Sequence, residues 1–529
     1  MQKSASYRAL LVYPRFASHS FWNYQATCEV VGKRYSAAPL GLTTVAALFP
    51  YNWQLRLIDR NIEELSDSDI DWADIVLTGG MLPQQRDAGA IIARAQALKK
   101  PVLVGGPDVT CSPERYDIAD FRMIGEAEDM FPEFLDAWNE GTRSGSFVST
   151  HFPDIKNRPP PRFDLLKLGH YMHVGIQASR GCPFSCEFCN VIELNGRIPR
   201  IKTAEQVIAE FDLLYALGYR GHVDIVDDNL IGNRTAIKPL LAQLGIWMRM
   251  RRYPFELSTE VSINAADDAE LLTLMKEANF FAVFVGIETP DDEALRAAHK
   301  KQNVGRNVTQ NIDTLFRAGL FVNAGFIIGL DGERQSVSEA MVRCIHDAAI
   351  PICMVGLLYA LPNTQLHRRL QAEKRLHPDS DRPEERDADQ CTSGLNFETL
   401  RPRVEVLTDY LAVIERIYAP VAFFDRVRRM VRALDVRGHK LQQPLGHILR
   451  DLRSFLRITR RSVQNKEIRW QYLATLGDTL VHNPRAMRVA VSMAALFLHY
   501  HWFGKFLSQQ IEGRIAESKC PSISMRQID

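Results

Sequence analysis

Ser179-Arg180-Gly181-Cys182-Pro183-Phe184-Ser185-Cys186-Glu187-Phe188-Cys189 is the stretch on which the reading of this sequence turns. It places three cysteines in a Cys-x3-Cys-x2-Cys spacing, directly after the apolar run Val174–Ala178, which reads as a strand. Three thiolates this close cannot pair with one another as disulfides, but they can hold three corners of a [4Fe–4S] cube and leave the fourth iron open. A zinc site is the alternative. Zinc favours Cys-x2-Cys pairs and four closed ligands, and no fourth Cys or His follows here at a suitable spacing. Downstream, apolar runs at Val223–Val226, Phe255–Ser258, Ala282–Val285, Val322–Ile328 and Cys353–Leu358 alternate with helical patterns such as Ala204–Leu217 and Asp267–Ala278. Six such steps fit a (β/α)6 partial TIM barrel, with function expected at the C-terminal strand ends.

Upstream, short apolar runs (Ala9–Tyr13, Gln54–Ile58, Ile75–Leu77, Val102–Val104, Phe121–Ile124) alternate with helix-like segments, for instance Leu42–Leu48, Gln85–Leu98 and Phe131–Trp138. That spacing predicts an open parallel, Rossmann-like sheet. Its strands end in Asp59, Gly79-Gly80, Gly105-Gly106 and Gly125-Glu126. Ligands of such sheets bind beyond the strand ends, where glycine lets a large flat molecule approach the backbone; tight turns alone are the plainer reading. The stiff stretch Arg158-Pro159-Pro160-Pro161-Arg162 marks a boundary. The organisation expected is therefore a sheet domain over 1–150, a linker over 151–168, a barrel over 169–366 and an α-helical domain over 367–529. His377–Asp389, polar and charge-dense, reads as a connecting segment.

The chain has 529 residues, of which 46% are hydrophobic and 24% charged, excluding a disordered, collagen-like or coiled-coil protein. Nine cysteines in so long a chain do not form a disulfide framework and suggest a reducing compartment. No signal peptide is evident, and the uncharged stretch Val489–Gly504 falls short of a bilayer span. A cytoplasmic location is expected. The net charge of +1 hides an asymmetry: 401–529 carries 22 basic and 11 acidic residues.

Around Cys182, Cys186 and Cys189, with aromatic Phe188 before the third, the chain resembles the radical S-adenosylmethionine (SAM) superfamily. The resemblance implies a [4Fe–4S] cluster on these three cysteines. It also implies SAM chelated to the open iron, and reductive cleavage to a 5′-deoxyadenosyl radical that removes hydrogen from an unactivated carbon. Expected SAM contacts are Phe188, Asp227 and Asp228 after strand two, Glu260 after strand three, Glu288 after strand four, and Gly325, Ile327 and Gly329 on strand five. An electron donor such as flavodoxin or ferredoxin is implied as partner. The preceding sheet resembles the cobalamin-binding domain of the B12-dependent branch. Its expected contacts are Pro39, Leu40, Gly41, Asp59, Thr78, Gly79, Gly80, Gly105, Gly106, Asp108, Gly125 and Glu126. The Asp-x-His-x-x-Gly motif of that branch is absent, and His19 is the only histidine in the first 150 residues. No His ligand to cobalt is expected from this domain, and the Gly80–Gln85 loop should cover the lower face. A decayed nucleotide-type fold binding nothing is the alternative.

The fuller pattern includes Val226–Asn233, Val285–Pro290 and Ala360-Leu361-Pro362-Asn363-Thr364. It is similar to the hopanoid C-2 methylase group, except that Asn190 stands where Asp commonly follows the third cysteine. The resemblance implies methylation of an unactivated carbon through methylcobalamin, on a small-molecule substrate, with a lipid or polycycle among the candidates. Cobalamin-assisted oxidation, cyclisation or rearrangement is the enzymatic alternative, and an iron–sulfur or zinc adaptor the non-enzymatic one. In the tail, Arg426, Arg428, Arg429, Arg432, Arg450, Arg453, Arg457, Arg460 and Arg461, with the aromatic run Phe497–Phe503, suggest peripheral contact with an anionic membrane. A solvated face over a packed core is the bland reading. Without a recognisable binding module, nucleic acid ranks last.

Overall fold

A computed structural model describes residues 6–17, 20–377, 390–437 and 445–519, with the side chains of 390 and 445–448 left aside. His19, the connecting segment 378–389 and Cys520 lie outside the described residues. Among the described residues, fifteen strands run in chain order: β1 Arg8–Tyr13, β2 Tyr35–Ala37, β3 Gln54–Asp59, β4 Ile75–Thr78, β5 Val102–Val104, β6 Phe121–Ile124, β7 Gly145–Val148, β8 Tyr171–Ile176, β9 Ser179–Arg180, β10 Arg200–Ile201, β11 Gly221–Ile225, β12 Phe255–Glu260, β13 Phe280–Glu288, β14 Phe321–Ile328 and β15 Ile352–Leu357.

The first sheet has the order β3-β1-β4-β5-β6-β7, with every neighbouring pair parallel. Ala9–Val12 of β1 are completely buried because helices cover both faces, so an unbroken apolar run replaces in–out alternation. The chain moves to one side of β1 for β3 and to the other for β4 onward. A switch point therefore opens at the carboxyl ends of β1 and β4, where such sheets take ligands.

The second sheet is also wholly parallel, β15-β14-β13-β12-β11-β8-β2, the curled half-barrel expected from the six β/α steps. Its seventh strand is a departure from the expected boundary at 150. β2, only three residues long, leaves the N-terminal unit and pairs with β8, Tyr35 opposite Tyr171 and Ala37 opposite His173. β1 to β7 otherwise keep to the first sheet.

Two helices flank β2: α1 (Gln25–Val31) and α2 (Leu40–Ala46). Beyond the barrel come α3 (Arg403–Ile417), α4 (Pro420–Ala433), α5 (Leu445–Gln464), α6 (Arg469–His482) and α7 (Met487–Lys519). α7 packs on α1: Thr27 donates to the Ala495 carbonyl at 3.1 Å, and Phe21 and Tyr500 lie 5.1 Å apart. This corrects one expectation. Phe497, His499, Tyr500 and Phe503 are core residues, and only Trp502 of the aromatics in this run, 47% exposed, is available to a membrane. The arginines of α4 are likewise engaged. Arg426, fully buried, donates to the carbonyls of Ile350 and Ile417, Arg429 donates to the His346 carbonyl, and Arg432 pairs with Asp478. No helix among the described residues is long and apolar enough to cross a membrane.

Candidate active site

The cysteine loop leaves β8, the first barrel strand, and is held by carboxylates from the end of β11. Asp227 is buried; its Oδ1 accepts from the Ala178 amide at 2.7 Å and its Oδ2 from the Ser179 hydroxyl at 2.6 Å. Asp228 accepts from the Gly181 amide at 2.9 Å and the Asn195 side chain at 3.0 Å. Burial pushes the Asp227 carboxyl up to about 7, against the lowering effect of the bonds from Ser179 and Ala178. Both residues were expected to contact SAM. Asp227 is committed to the loop's backbone and hydroxyl, and so acts as a positioning residue. Gly181 is obligatory: φ is +97°, and a Cβ would lie 2.9 Å from the carbonyl oxygens of Asn195 and Gly196.

Cys186 is buried, and Cys182 and Cys189 are partly so. Burial raises all three thiols, Cys189 to about 12, while Lys300 acts in the opposite direction on each. Amide donors face two of the sulfurs, Asn229 Nδ2 at 4.0 Å from Cys182 and Gln302 Nε2 at 3.6 Å from Cys186. Lys300 Nζ lies 5.9 Å from the centre of the Phe188 ring and pairs with Glu288 at 2.6 Å. Burial works against this lysine's charge, yet Glu288 and Cys186 hold its pKa above the ordinary value. An ammonium and two amide donors suit sulfurs that carry negative charge. Among the described residues no three His, Cys, Asp or Glu side chains converge on a point fit for one metal ion. A cube takes its thiolates on three separate irons, so it asks for sulfurs around a cage rather than about a point.

The remaining SAM candidates distribute along the strand ends. Glu288, at φ +67°, is engaged by Lys300, and a Cβ on Gly286 would meet its Oε1 at 2.4 Å. Gly325 leaves room for Phe284, whose Cζ would be 3.0 Å from an added Cβ. Ile327 is half-buried, and Gly329, at φ +94°, donates its amide to Glu333 at 3.0 Å. Glu260 is exposed at the mouth of the barrel with no protein partner among the described residues. Crowding by protein, then the charges of Asp224, Asp228 and Asp227, raises it to about 8.

In the first sheet, the backbones of Gly79 and Gly105 approach so closely that a Cβ on Gly79 would sit 1.8 Å from the Gly105 carbonyl oxygen. Gly80 is crowded by Gln84, Gly106 is exposed at φ +101°, and Gly125, at φ +108°, would meet Ser149. Thr78 donates to the Val12 carbonyl, and Asp108 is buried and accepts from Tyr116 and Gln85. Asp59, also expected at a ligand, is buried and accepts from Asn61 and from the Tyr171 hydroxyl at 2.9 Å, linking the sheet to the barrel. Glu126 is similarly committed to Arg180 and Arg200, and Glu128 to Arg180 at 2.7 Å. Pro39 is buried and Gly41 open, while Leu40 reaches the barrel, 3.4 Å from where a Gly175 Cβ would stand. In the Gly80–Gln85 loop, Gln84 is buried and Met81 is 46% exposed.

Lys300, Gln302 and the Arg180 clamp escaped the reading of the sequence. Lys300-Lys301-Gln302, charged residues just after a helix, looks like an ordinary solvated turn until the fold brings it to the cysteines.

The parallel half-barrel, with a cysteine triplet after its first strand, stands beside an open parallel sheet, and solved structures share this fold. TsrM from Kitasatospora setae, a radical S-adenosylmethionine methyltransferase solved with cobalamin and a [4Fe–4S] cluster, shares the fold at a TM-score of 0.55 and 14% identity over 71% of this chain and 76% of its own. The cobalamin-dependent S-adenosylmethionine radical enzyme OxsB shares it at 0.58 and 12% identity over 98% and 82%. In sequence, the radical SAM superfamily profile matches residues 176–343, and a domain of unknown function, DUF4070, matches 364–513. An uncharacterised methyltransferase of Synechocystis sp., sll1242, is 38% identical over 95% of this chain and 93% of its own. The hopanoid C-2 methylase of Rhodopseudomonas palustris is 35% identical over 80% and 79%. The chain belongs to the radical SAM methyltransferase family that contains these two proteins. It is an enzyme, which sets the adaptor reading aside.

Proposed function

We propose that this enzyme methylates an unactivated carbon of a small lipid or polycyclic substrate, with a [4Fe–4S] cluster on Cys182, Cys186 and Cys189, SAM at the barrel strand ends, and cobalamin beyond the strands of the first sheet. The carrying observation is the cysteine loop: three thiols met by an ammonium and two amide donors, on a backbone fixed by Asp227 and Asp228. When bound, the cluster would supply one electron for SAM cleavage, and the corrin a methyl group. Lys300 balances negative charge at the sulfurs and holds Glu288 turned inward. Asp227 and Asp228 keep Gly181 and the first cysteine in register with β11. The Gly79–Gly105 approach gives the first sheet a flat floor with no side chain, as a planar macrocycle needs. An electron donor such as flavodoxin or ferredoxin completes the cycle.

Anaerobic reconstitution followed by iron, sulfide and 5′-deoxyadenosine measurement tests the cofactor assignment. Four irons per chain are expected, and the triple Cys→Ala variant should lose both iron and 5′-deoxyadenosine production. Product mass tests the reaction: a methyl group adds about fourteen daltons, whereas oxidation, cyclisation or rearrangement does not. Comparing metabolites, lipids included, between a deletion strain and its parent identifies the substrate.

To reach a lipid substrate, we propose peripheral contact with an anionic membrane through α5 and α6. These two helices pack on each other through Thr459 and Tyr472. Leu449, Leu452 and Leu456 form an exposed stripe on α5, each more than half exposed, and Trp470, Leu480 and Val481 do so on α6. Arg453 and Arg460 beside them have no carboxylate partner among the described residues. A second copy docked through the same patch would bring a patch of like charge against this one. Anionic headgroups instead complement them, and the leucines favour burial at the acyl boundary.

A further inference from the structure

The cysteine loop closes on itself, and its closing turn carries a surface that neither cofactor uses. β9 and β10 pair antiparallel, Arg200 opposite Arg180 and Ile201 opposite Ser179, so residues 181–199 leave and return at one point. The returning segment lies on the first cysteine. The Cys182 amide donates to the Gly196 carbonyl at 3.2 Å, and the Arg197 guanidinium donates to the Pro183 carbonyl at 3.4 Å. The carbonyl oxygens of Gly196 and Ile198 stand 2.9 and 3.1 Å from where a Gly181 Cβ would be.

While this backbone faces the loop, its side chains reach solvent. Arg197 is exposed, and Ile198 is 81% exposed, more than any other Ile, Leu, Val or Met among the described residues. Phe152, 46% exposed, lies against the same turn, 2.8 Å from where a Gly196 Cβ would be. Apolar side chains grouped in water at one point mark a contact surface. The charge around them is one-sided. Glu187 and Glu193, the carboxylates of the loop, are taken by Arg369 at 2.9 Å and Arg368 at 2.6 Å. Arg197 has no carboxylate partner among the described residues. Nor has Lys301, exposed beside Gln302, whose amide reaches the Cys186 sulfur at 3.6 Å. Uncompensated cations therefore stand beside both the first and the second cysteine.

We propose that Arg197, Ile198 and Phe152 form the docking point of a small acidic one-electron carrier protein, which Lys301 helps to attract. The inference rests on the reading of the three cysteines as cluster ligands, and names where their electron enters. The carrier is oxidised by one electron and the cluster reduced by one, with no atom exchanged. Electron transfer between proteins falls steeply with distance, and the turn that receives the Cys182 amide is backbone in direct contact with a cluster ligand. The carrier must also leave after each electron. A small patch suits that, since electron-transfer encounters bury less than about 1,200 Å². Unpaired cations select an acidic partner and speed its approach.

Two readouts on the anaerobically reconstituted full chain test this, with labelled flavodoxin and labelled ferredoxin from the same organism as probes. Fluorescence anisotropy reads binding, and 5′-deoxyadenosine formation driven by reduced carrier or by dithionite reads electron entry. At least one carrier should bind, more weakly as salt rises. Arg197→Glu and Ile198→Asp should each weaken that binding roughly tenfold. Both should leave the dithionite-driven rate unchanged, because a small reductant needs no docking. Lys301→Glu should slow association severalfold. Ile198→Asp gives up no side-chain hydrogen bond, so it decides the case if Arg197→Glu loses iron. Binding of neither carrier, binding unchanged in Ile198→Asp, or a dithionite rate that falls in step with the carrier-driven rate overturns the proposal. Failure of the cofactor reading looks different: the wild-type chain would then hold no iron and cleave no SAM with dithionite.

Discussion

A lysine buried among three thiols is favourable only beside negative charge, and Lys300 has one such partner in Glu288 and others in the sulfurs. That arrangement makes the cysteine loop sensitive at single atoms. Gly181→Ala adds a methyl group 2.9 Å from two carbonyl oxygens at a backbone angle that side chains rarely adopt. The expected cost is about 1–3 kcal/mol, seen as a lower melting temperature and fewer irons per chain after reconstitution; unchanged iron content would refute the need for glycine there. The cysteine spacing was legible in the sequence because its information is local. The role of Asp227 was not. Whether a carboxylate after a strand faces a ligand or ties down its neighbour depends on where β8 ends relative to β11, which only the sheet register determines.

At the scale of elements, two arrangements carry consequences for stability. Arg180, which opens the cysteine loop, is clamped by Glu126 and Glu128 from the first sheet. Arg180→Leu would leave the poorly solvated Glu128 without its cation and Glu126 with Arg200 alone, destabilising the protein by roughly 3–5 kcal/mol, measurable as a shift in the urea midpoint. After β14, Glu333 is buried and raised to about 8, mainly by that burial, although it accepts from the Gly329 amide. An acid whose folded pKa lies above its unfolded value holds a proton that the unfolded chain releases. Its contribution to stability therefore falls as pH rises from about 4.5 to about 8 and is constant above. Glu333→Gln should flatten that part of the stability–pH curve, with a gain on the order of a few kcal/mol near pH 8. A curve with the wild-type slope would show that Glu333 is not the group responsible. Most of the strands were legible from their apolar runs, since a parallel strand buried on both faces leaves a continuous signature. β2 and β7 were not: one is three residues long, and the other is an edge strand with mostly exposed side chains.

For the whole molecule, the charge asymmetry of the sequence proved a poor guide to surface chemistry, because Arg426 is buried, and Arg429 and Arg432, though not buried, are tied to the His346 carbonyl and to Asp478. What faces outward is the stripe on α5 and α6. Replacing Leu449, Leu452 and Leu456 by serine removes most of the apolar area on α5, each leucine contributing about 1.5–3 kcal/mol when fully buried. The wild type should sediment with anionic vesicles at low salt, less at high salt and little with neutral vesicles. The serine variant should lose most of the bound fraction while keeping its melting temperature. Equal sedimentation of the two proteins would dismiss α5 as the contact.

The pairing of β2 with β8 and the packing of α7 on α1 also govern how the chain can be made. During synthesis, Tyr35 emerges well before the strand beside which it must lie, and the Thr27 hydroxyl waits for Ala495, 468 residues later. The first sheet has its own buried core and can close early, but Phe21 and its neighbours stay uncovered until α7 leaves the ribosome. Closing so long a loop slows folding and leaves an aromatic surface open to mispairing meanwhile. The emergence of α7, rather than any earlier boundary, is thus the event that commits this enzyme to its native form.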